Sequence, residues 1–514
     1  VARNIHSRLY LRGIFVTQSP LHVGGHGEEV DTDLPLARDG AGQLYVPGTS
    51  LAGALRELAE RLFGESVIDE LWGYQRDDRG HASFVVVDDA AIENSDSVVV
   101  EIRDHVGIDR EYGAAAEHIK FDRAIIPRGT RLNFHLFVDV ATREKRDLAL
   151  AMLAGLQNAL STGEVRLGAA KTRGLGHIRL ENAQLTEKLF SRREGILAVL
   201  SQTSTTTIRQ ADINAALQKH PPRKRPRLVL KIAWEPSGPL MVKAGLEGIA
   251  ADMLPLVSGC DGQVSLVLPG SSIKGTFRSH AERIVRTLRG EIRPKWLGGP
   301  GRQKFLDAVQ LPLINELFGT AKQSDTEPDL ADTKPRPGLG ALAVIDCFGQ
   351  HRLSVAQWQA IQAATDDREL RKALDDSGLT PWSQAYHVAI DRWLGSAAES
   401  MLYTVVEPHR TVWEPLTLEL NLQRLPDEWQ WPAIALLLLV IRDLANDRMP
   451  LGFATHRGMG AVRVNGVTIE AYDLDDDLAH LTQIRLANGK LQNLPNQLQI
   501  AWQQWIEQNQ EMPA

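Results

Sequence analysis

Cysteine is nearly absent: the 514 residues contain two, Cys260 and Cys347. Two thiols build neither a disulfide framework nor a four-thiolate zinc cage, and they suit a reducing compartment. Long apolar runs are missing as well. The longest, Ala433–Ile441, lies between Pro432 and Arg442. A bilayer crossing needs about 20 apolar residues. This run is less than half that, so it reads as a buried helix and no membrane partner is expected. No sign of charge dominates, since 57 Lys+Arg meet 64 Asp+Glu for a net charge of −7. That excludes holding bare DNA by bulk charge, but not local binding of nucleic acid, which depends on where charge sits. Val1–Leu11 is charged and lacks the apolar core of a secretory signal, so a cytoplasmic location is expected. What remains is an ordinary globular composition, 43% hydrophobic and 24% charged, long enough for roughly two to four domains.

What is present, above all, is repetition. HVGIDREYGAAAE begins at His105 and HVAIDRWLGSAAE at His387, identical at most positions. PGTSLAGALR at Pro47 returns as PGSSIKGTFR at Pro269. LFG at Leu62–Gly64 returns at Leu317–Gly319, and GAAKTRGLG at Gly168 returns as GFATHRGMG at Gly452. The separation between matching motifs widens from the first pair to the last. One order of motifs with rising offsets means one fold used twice, with insertions in the second copy at about 287–311 and 350–381. The copies are expected at 1–195 and 226–475, with a linker at 196–225 and a helical tail at 476–514. Lys219–Lys231 is rich in Lys and Arg and has no acid. It reads either as a stiff solvated connector or as a phosphate-facing strap.

Within each copy the pattern is strand, helix, strands, helix, strand. Leu9–Val16 and Arg227–Trp234 read as the first strands. Leu51, Ala54, Leu55, Leu58 and Leu62 recur at helical spacing, as do Ile273, Phe277, Ala281 and Ile284. Phe84–Val87 and Ala341–Ile345, then Arg131–Val138 and Leu416–Leu422, read as strands. Asp147–Leu160 and Ala433–Leu444 read as the second helices, before strands at His177–Leu180 and Ala461–Val464. The expected class is α+β, a ferredoxin-like split βαβ unit of the layout used by RNA-recognition modules.

Three groups of residues can carry chemistry. Gly168, Gly174 and Gly176 surround Lys171, Thr172 and Arg173; Gly452, Gly458 and Gly460 surround Thr455, His456 and Arg457. Glycines let N–H groups approach a phosphate and arginine adds a bidentate fork. The same spacing also suits a plain surface turn, and no Walker pattern occurs. Second, Thr49, Ser50 and Arg56, and Ser271, Ser272, Lys274 and Arg278, lie on the first turns of the first helices. Such hydroxyls read as N-caps or as part of an anion site. Third, Leu21–Gly40 carries Glu28, Glu29, Asp31, Asp33 and Asp39 behind His22 and His26. The step from Pro20 to Pro239, applied to Asp33, lands on Asp252. Loop carboxylates are usually only solvated; beside RNA they can hold a divalent ion or help deprotonate a 2′-hydroxyl.

Taken together, these motifs resemble the RAMP superfamily, and within it the repeated backbone subunits of type III CRISPR effector complexes. The resemblance rests on Asp33-Leu34-Pro35-Leu36-Ala37-Arg38-Asp39, Tyr45-Val46-Pro47-Gly48-Thr49-Ser50, the His105 block and Gly168–Gly176, and on their second copies. The tandem form resembles the fused double backbone subunit of type III-D complexes; tandem capping subunits are the rival. The resemblance implies two RRM-like domains with inserted thumb hairpins and a part in antiviral defence. Partners would be a CRISPR guide RNA, a single-stranded target RNA, other backbone subunits and the large signature subunit. Thr49, Ser50, Arg56, Lys171, Arg173, Ser271, Ser272, Lys274, Arg278, His456 and Arg457 would contact the guide. Asp33 and Asp252 would be the catalytic carboxylates of a metal-dependent endoribonuclease. They would help hold a weakly bound divalent cation, Mg or Mn. The blocks at His105 and His387 would border the thumbs, and their shared Asp109–Arg110 and Asp391–Arg392 pairs read as simply holding that loop. A purely structural RNA-binding subunit is the alternative. The sequence departs from the family in having Ala52 where copy two has Lys274. It also has one extra residue between Asp252 and Pro255, and Asp31 rivals Asp33.

Overall fold

The computed structural model describes residues 5–25, 32–109, 113–190, 193, 197, 206–245, 248–290, 311–320, 338–474 and 476–509. It divides into two compact units. Unit one comprises Val1–Ile102, Arg123–Lys171 and Leu175–Arg225; unit two comprises Arg103–Asp122, Thr172–Gly174 and Pro226–Ala514.

In unit one, Ser7–Thr17, Val85–Val87, Arg131–Val140 and Ile178–Leu189 form an antiparallel sheet. Their spatial order is fourth, first, third, second, with Thr206–Thr207 outside the fourth and Val85–Val87 at the other edge. This is the split βαβ order. Every second side chain of Arg131–Val140, from Leu132 to Val140, is buried, as the two-residue period of a strand requires. Helices Gly48–Phe63 and Arg143–Ser161 bury Leu51, Leu55, Leu58, Leu62, Leu150, Leu153 and Leu156 in the same core. Each such side chain contributes about 1.5–3 kcal/mol. The segment read as a linker carries a helix, Gln210–Lys219, that joins this core through Ala216.

Unit two repeats the order with Val462–Tyr472, Arg227–Pro236, Leu416–Asn421 and Leu342–Ile345. A fifth strand, Arg173–Gly174, pairs in parallel with Leu342–Ile345, Arg173 opposite Val344 and Gly174 opposite Ile345. The core helices are Gly270–Arg289 and Asp427–Leu444. The second starts at Asp427, ahead of the expected Ala433, and runs through Pro432. A proline near a helix start removes only one internal hydrogen bond, and Asp427 and Glu428 in the first turn suit the positive helix end. The tail helix, Asn496–Asn509, packs within unit two, burying Leu498 and Trp505 against the same core. Among the described residues no helix is long and apolar enough to cross a membrane. Both cysteines are buried and neither is in a disulfide, and burial pushes the Cys347 thiol well up.

One expected equivalence fails. Arg56 donates to the Gly73 carbonyl, and Arg278 donates to that of Gly319. Both glycines end a short helix, Glu65–Trp72 or Ile314–Phe318. The partner of Ile314-Asn315-Glu316-Leu317-Phe318-Gly319 is therefore Ile68-Asp69-Glu70-Leu71-Trp72-Gly73, and not the LFG at Leu62. The identical letters misled; the shared arginine clamp decides.

Candidate functional site

The acidic loop is held alike in both copies. Gly24 bridges Leu36, and Lys243 bridges Pro255. Gly25 N–H donates to the Pro35 carbonyl, and Ala244 N–H to that of Leu254. Ala37 and Leu256 donate in the same way to the carbonyls of Val23 and Val242. Each of these pairs keeps the step from Pro20 to Pro239, so Asp33 and Asp252 occupy one position, the same distance ahead of the bridge. The prolines are displaced by one place but the backbone register is not. Both carboxylates are exposed. Asp31, His26, Glu28, Glu29 and Glu247 lie outside the described residues.

His22 is buried, and its Nδ1 stands 2.7 Å from the Ala124 carbonyl oxygen. Burial lowers its pKa, keeping the ring neutral. Met241 fills the corresponding place in copy two, so this histidine is a packing residue. Behind it lies the Gly-rich loop. Gly168 and Gly452 have positive φ, 72° and 87°. A Cβ on them would stand 2.0 and 2.3 Å from the carbonyl oxygens of His22 and Met241. These glycines are required by close approach of backbone to the acidic loop. A phosphate is not needed to explain them.

The helix starts differ from the capping expectation. Pro47 and Pro269 are the N-cap residues, and no hydroxyl caps either helix. Instead Gly48 N–H donates to Asp89 Oδ1 at 2.6 Å, and Gly270 N–H to Asp346 Oδ1 at 2.7 Å. Thr49, Ser50 and Ser272 are exposed and Ser271 half-buried. Three cations assigned to guide contact are already engaged inside the fold. Arg56 holds Glu60, Asp69 and Gly73. Arg278 holds Glu282 and Gly319. Lys274 is buried, with its ammonium 2.6 Å from the Leu342 carbonyl. The basic connector is also tied down: Lys219 to Asp147, Arg225 to Glu164, Lys231 to Glu470, and Arg227 near Glu419. Lys171 is half-buried, 3.9 Å from Glu57. Arg173, His456 and Arg457 are exposed.

The histidine blocks do more than border the hairpins. They form the first strand of each, Glu101–Ile108 paired with Ala115–Ile125, and Ser383–Ile390 paired with Ala397–Glu407. Asp109 and Asp391 close the tips through matching backbone bonds with Gly113 and Ala114, and with Gly395 and Ser396. The Leu394 and Trp393 N–H groups hold the Asp391 carboxyl below its ordinary range. Each hairpin stacks its histidine on an aromatic, His105 on Phe121 at 5.0 Å and His387 on Tyr403 at 5.3 Å.

In unit two these parts converge. Thr404 donates its N–H (2.7 Å) and its hydroxyl (3.0 Å) to Asp252 Oδ2. Next to it, the Tyr403 hydroxyl accepts a hydrogen bond from Arg457 of the Gly-rich loop. The Arg457 guanidinium also lies 5.4 Å from the centre of the Phe453 ring. A small apolar cluster of Met241, Val405 and Met459 supports this surface. Successive residues of one hairpin strand thus hold an exposed carboxylate and a cation beside aromatic faces, groups that suit a phosphodiester and unstacked bases. Among the described residues no three His, Cys, Asp or Glu side chains gather as a metal cage.

The sequence profile of the RAMP superfamily matches residues 14–179 and 255–463. The chain belongs to this superfamily. The two matched stretches fall one in each copy, so this RAMP chain is a tandem of the family fold. Its sequence is similar to that of the CRISPR system Cms endoribonuclease Csm3 of Methanocaldococcus jannaschii. They share 24% identity over 215 residues, 37% of this chain and 86% of the relative. The RAMP motifs by themselves do not reveal Thr404, Tyr403, Arg103, Asp89 or Asp346. Phe121 and Tyr403 are separated by the same step as His105 and His387, a usable signal for an aromatic at each hairpin base. The aspartates carried none, because helix capping from a distant strand leaves no local pattern.

Proposed function

We propose that this chain is a guide-RNA-binding backbone subunit of a type III CRISPR ribonucleoprotein, and that it cuts target RNA at two places, one per copy. The observation that carries this reading is the common register of Asp33 and Asp252, two exposed carboxylates at one position of a duplicated loop. Guide and target would run past the Gly-rich loops, with Arg173, His456 and Arg457 facing phosphates and Thr49, Ser50, Ser271 and Ser272 at the helix starts. Tyr386 and Trp393, strongly exposed on the second hairpin, offer faces on which displaced bases stack. A splayed nucleotide places its 2′-hydroxyl in line with its own phosphate, and the aspartate takes up the hydroxyl proton or orients that group. A divalent cation, when bound, supplies charge neutralisation. With one carboxylate at each position, water and RNA oxygens would complete its shell. Sister backbone subunits and a large signature subunit complete the assembly, in the cytoplasm.

The test is cleavage mapping in the assembled complex. Asp33→Ala and Asp252→Ala should each erase one cut while target binding persists. Both cuts surviving the double substitution would refute the reading. A second reading draws on Thr404: with Oδ2 twice occupied, Asp252 would be a structural loop anchor and the chain would cut once. In that case Asp252→Ala would lower the melting temperature and leave the cut pattern unchanged.

A further inference from the structure

The two copies differ on the sheet face turned away from the helices. In unit one this face carries Tyr10 on Ser7–Thr17, and His135 and Phe137 on Arg131–Val140. The two strands are neighbours, and Tyr10 lies opposite Phe137 in register. A strand turns every second side chain to one side. Leu9, Leu11, Leu136 and Val138 therefore enter the core, and the three rings gather on the other side. Tyr10 stacks on His135, with ring centres 5.7 Å apart and planes 15° from parallel. The Phe137 ring centre is 6.0 Å from that of Tyr10. Asp88 Oδ2, 2.5 Å from Nδ1, orients the histidine ring. Tyr10 is buried beneath its neighbours, whereas His135 and Phe137 are half-buried.

Cations surround these rings. The Arg8 guanidinium lies 4.0 Å from the centre of the Phe137 ring and is paired with Asp139. Arg12 lies 4.8 Å and Lys188 5.6 Å from the centre of the Tyr10 ring. Arg12 is exposed and Lys188 half-buried, and among the described residues neither has a hydrogen-bond or ion-pair partner. Unit two fills the same positions differently. Leu11 opposite Leu136 returns there as Leu230 opposite Leu418, and Tyr10 opposite Phe137 returns as Val229 opposite Glu419. Thr417 stands in the place of His135. Lys231, in the place of Arg12, is tied to Glu470 at 2.6 Å. The three-ring cluster with its unpaired cations therefore belongs to unit one and is not part of the shared repeat.

We propose that the open sheet face of unit one binds single-stranded RNA. About two or three unpaired bases stack on His135, Phe137 and the Arg12 guanidinium plane, and their phosphates lie on Arg12 and Lys188. Aromatic side chains on neighbouring strands give bases a flat seat, and because every base has a π-face such a seat is tolerant of sequence. Two cations without a carboxylate partner favour an anion, and half-exposed rings favour planar groups. An RNA strand with splayed bases supplies both at once. Tyr10, enclosed beneath, holds the two rings in place and does not itself touch the bases. The face is built from elements other than the Gly-rich loops and the helix starts. The inference therefore stands whether or not the chain holds a guide or cuts RNA.

The test uses the full-length chain and an oligouridylate of about ten nucleotides, end-labelled for anisotropy or carrying 4-thiouridine for photo-crosslinking. Arg12→Ala with Lys188→Ala should bind more weakly, and the slope of log affinity against log salt should become shallower by about 1.4, the loss of two phosphate contacts. Neither cation has a polar partner in the fold, so this pair should melt with the wild type and reports on binding even if other substitutions unsettle the sheet. His135→Thr with Phe137→Glu installs the residues that unit two carries at these positions and should lower affinity at least about fivefold. Ultraviolet light should attach 4-thiouridine to Ser7–Thr17 or Arg131–Val140 in the wild type, and this label should vanish in the His135, Phe137 pair. The proposal is overturned if neither strand is labelled, if the label survives His135→Thr with Phe137→Glu, or if the Arg12, Lys188 pair leaves affinity and salt slope unchanged. Labelling confined to the Gly-rich loops would overturn this face while supporting the guide contacts proposed above, which keeps the two readings apart.

Discussion

At the scale of single residues, Asp346 holds two structural tasks on its two carboxylate oxygens: Oδ1 caps the Gly270 N–H, and Oδ2 forms a buried ion pair with Arg103 at 2.5 Å. Removing one partner of a buried pair leaves the other charge without compensation, at a cost of about 3–5 kcal/mol. Asp346→Ala should therefore lower the melting temperature of the chain far more than Asp89→Ala, whose site is open to water; thermal unfolding of the two variants side by side decides it. Thr404 holds Asp252 Oδ2 through its N–H and hydroxyl, which on the proposed two-cut function makes it a positioning residue. Losing its hydroxyl in Thr404→Val should slow the copy-two cut by about tenfold with target affinity unchanged, and Thr404→Ser should restore it. An equal loss of affinity would mean that Thr404 only maintains the loop. His22, neutral and matched by Met241 in copy two, should accept methionine with no change in cleavage or metal response.

Among elements, the Gly-rich loop separates two kinds of glycine. Gly452 has φ 87° and a carbonyl 2.3 Å from a would-be Cβ, whereas Gly458 has φ 88° and nothing within 4 Å. Gly458→Ala should cost about 1–2 kcal/mol for the left-handed backbone alone. Gly452→Ala should cost more, since the loop must leave the Met241 carbonyl, and should weaken RNA binding with it. Unfolding midpoints and RNA affinity of both variants provide the comparison.

The helix pair of unit two holds a second polar tie, His280 Nε2 to Asp443 Oδ2 at 2.8 Å. Burial works to raise the Asp443 carboxyl, but hydrogen bonds from His280 and Arg442 outweigh it and hold it below its ordinary 3.8. A depressed carboxyl contributes its full stabilisation above the unfolded value and loses it as pH falls through the folded one. The melting temperature should thus drop more steeply below about pH 4 in the wild type than in Asp443→Asn, measured over one acid series.

For the molecule as a whole, the net charge of −7 is no guide to RNA affinity. Many cations are internally paired, while Arg173, His456 and Arg457 of the Gly-rich loops stay exposed. The repeat was legible in the amino-acid order, all but the pairing of the Ile314 helix, because a fold used twice must place its turns and apolar periods in one sequence twice. Strand and helix positions followed from periods of two and about 3.6 residues. The family followed from the order of the motifs, and the register of Asp33 with Asp252 from a constant step. Only tertiary structure could decide what each polar side chain does with its charge. Arg56, Arg278 and Lys274 looked like phosphate ligands because an exposed cation and a buried clamp are spelled alike; neighbours far along the chain turned them inward. The partner of the Ile314 helix needed the arginine clamp to be found. The aspartate caps of the first helices, Asp89 on Gly48 and Asp346 on Gly270, appear only in the folded copies, since a cap reaching from a distant strand leaves no local pattern in the sequence.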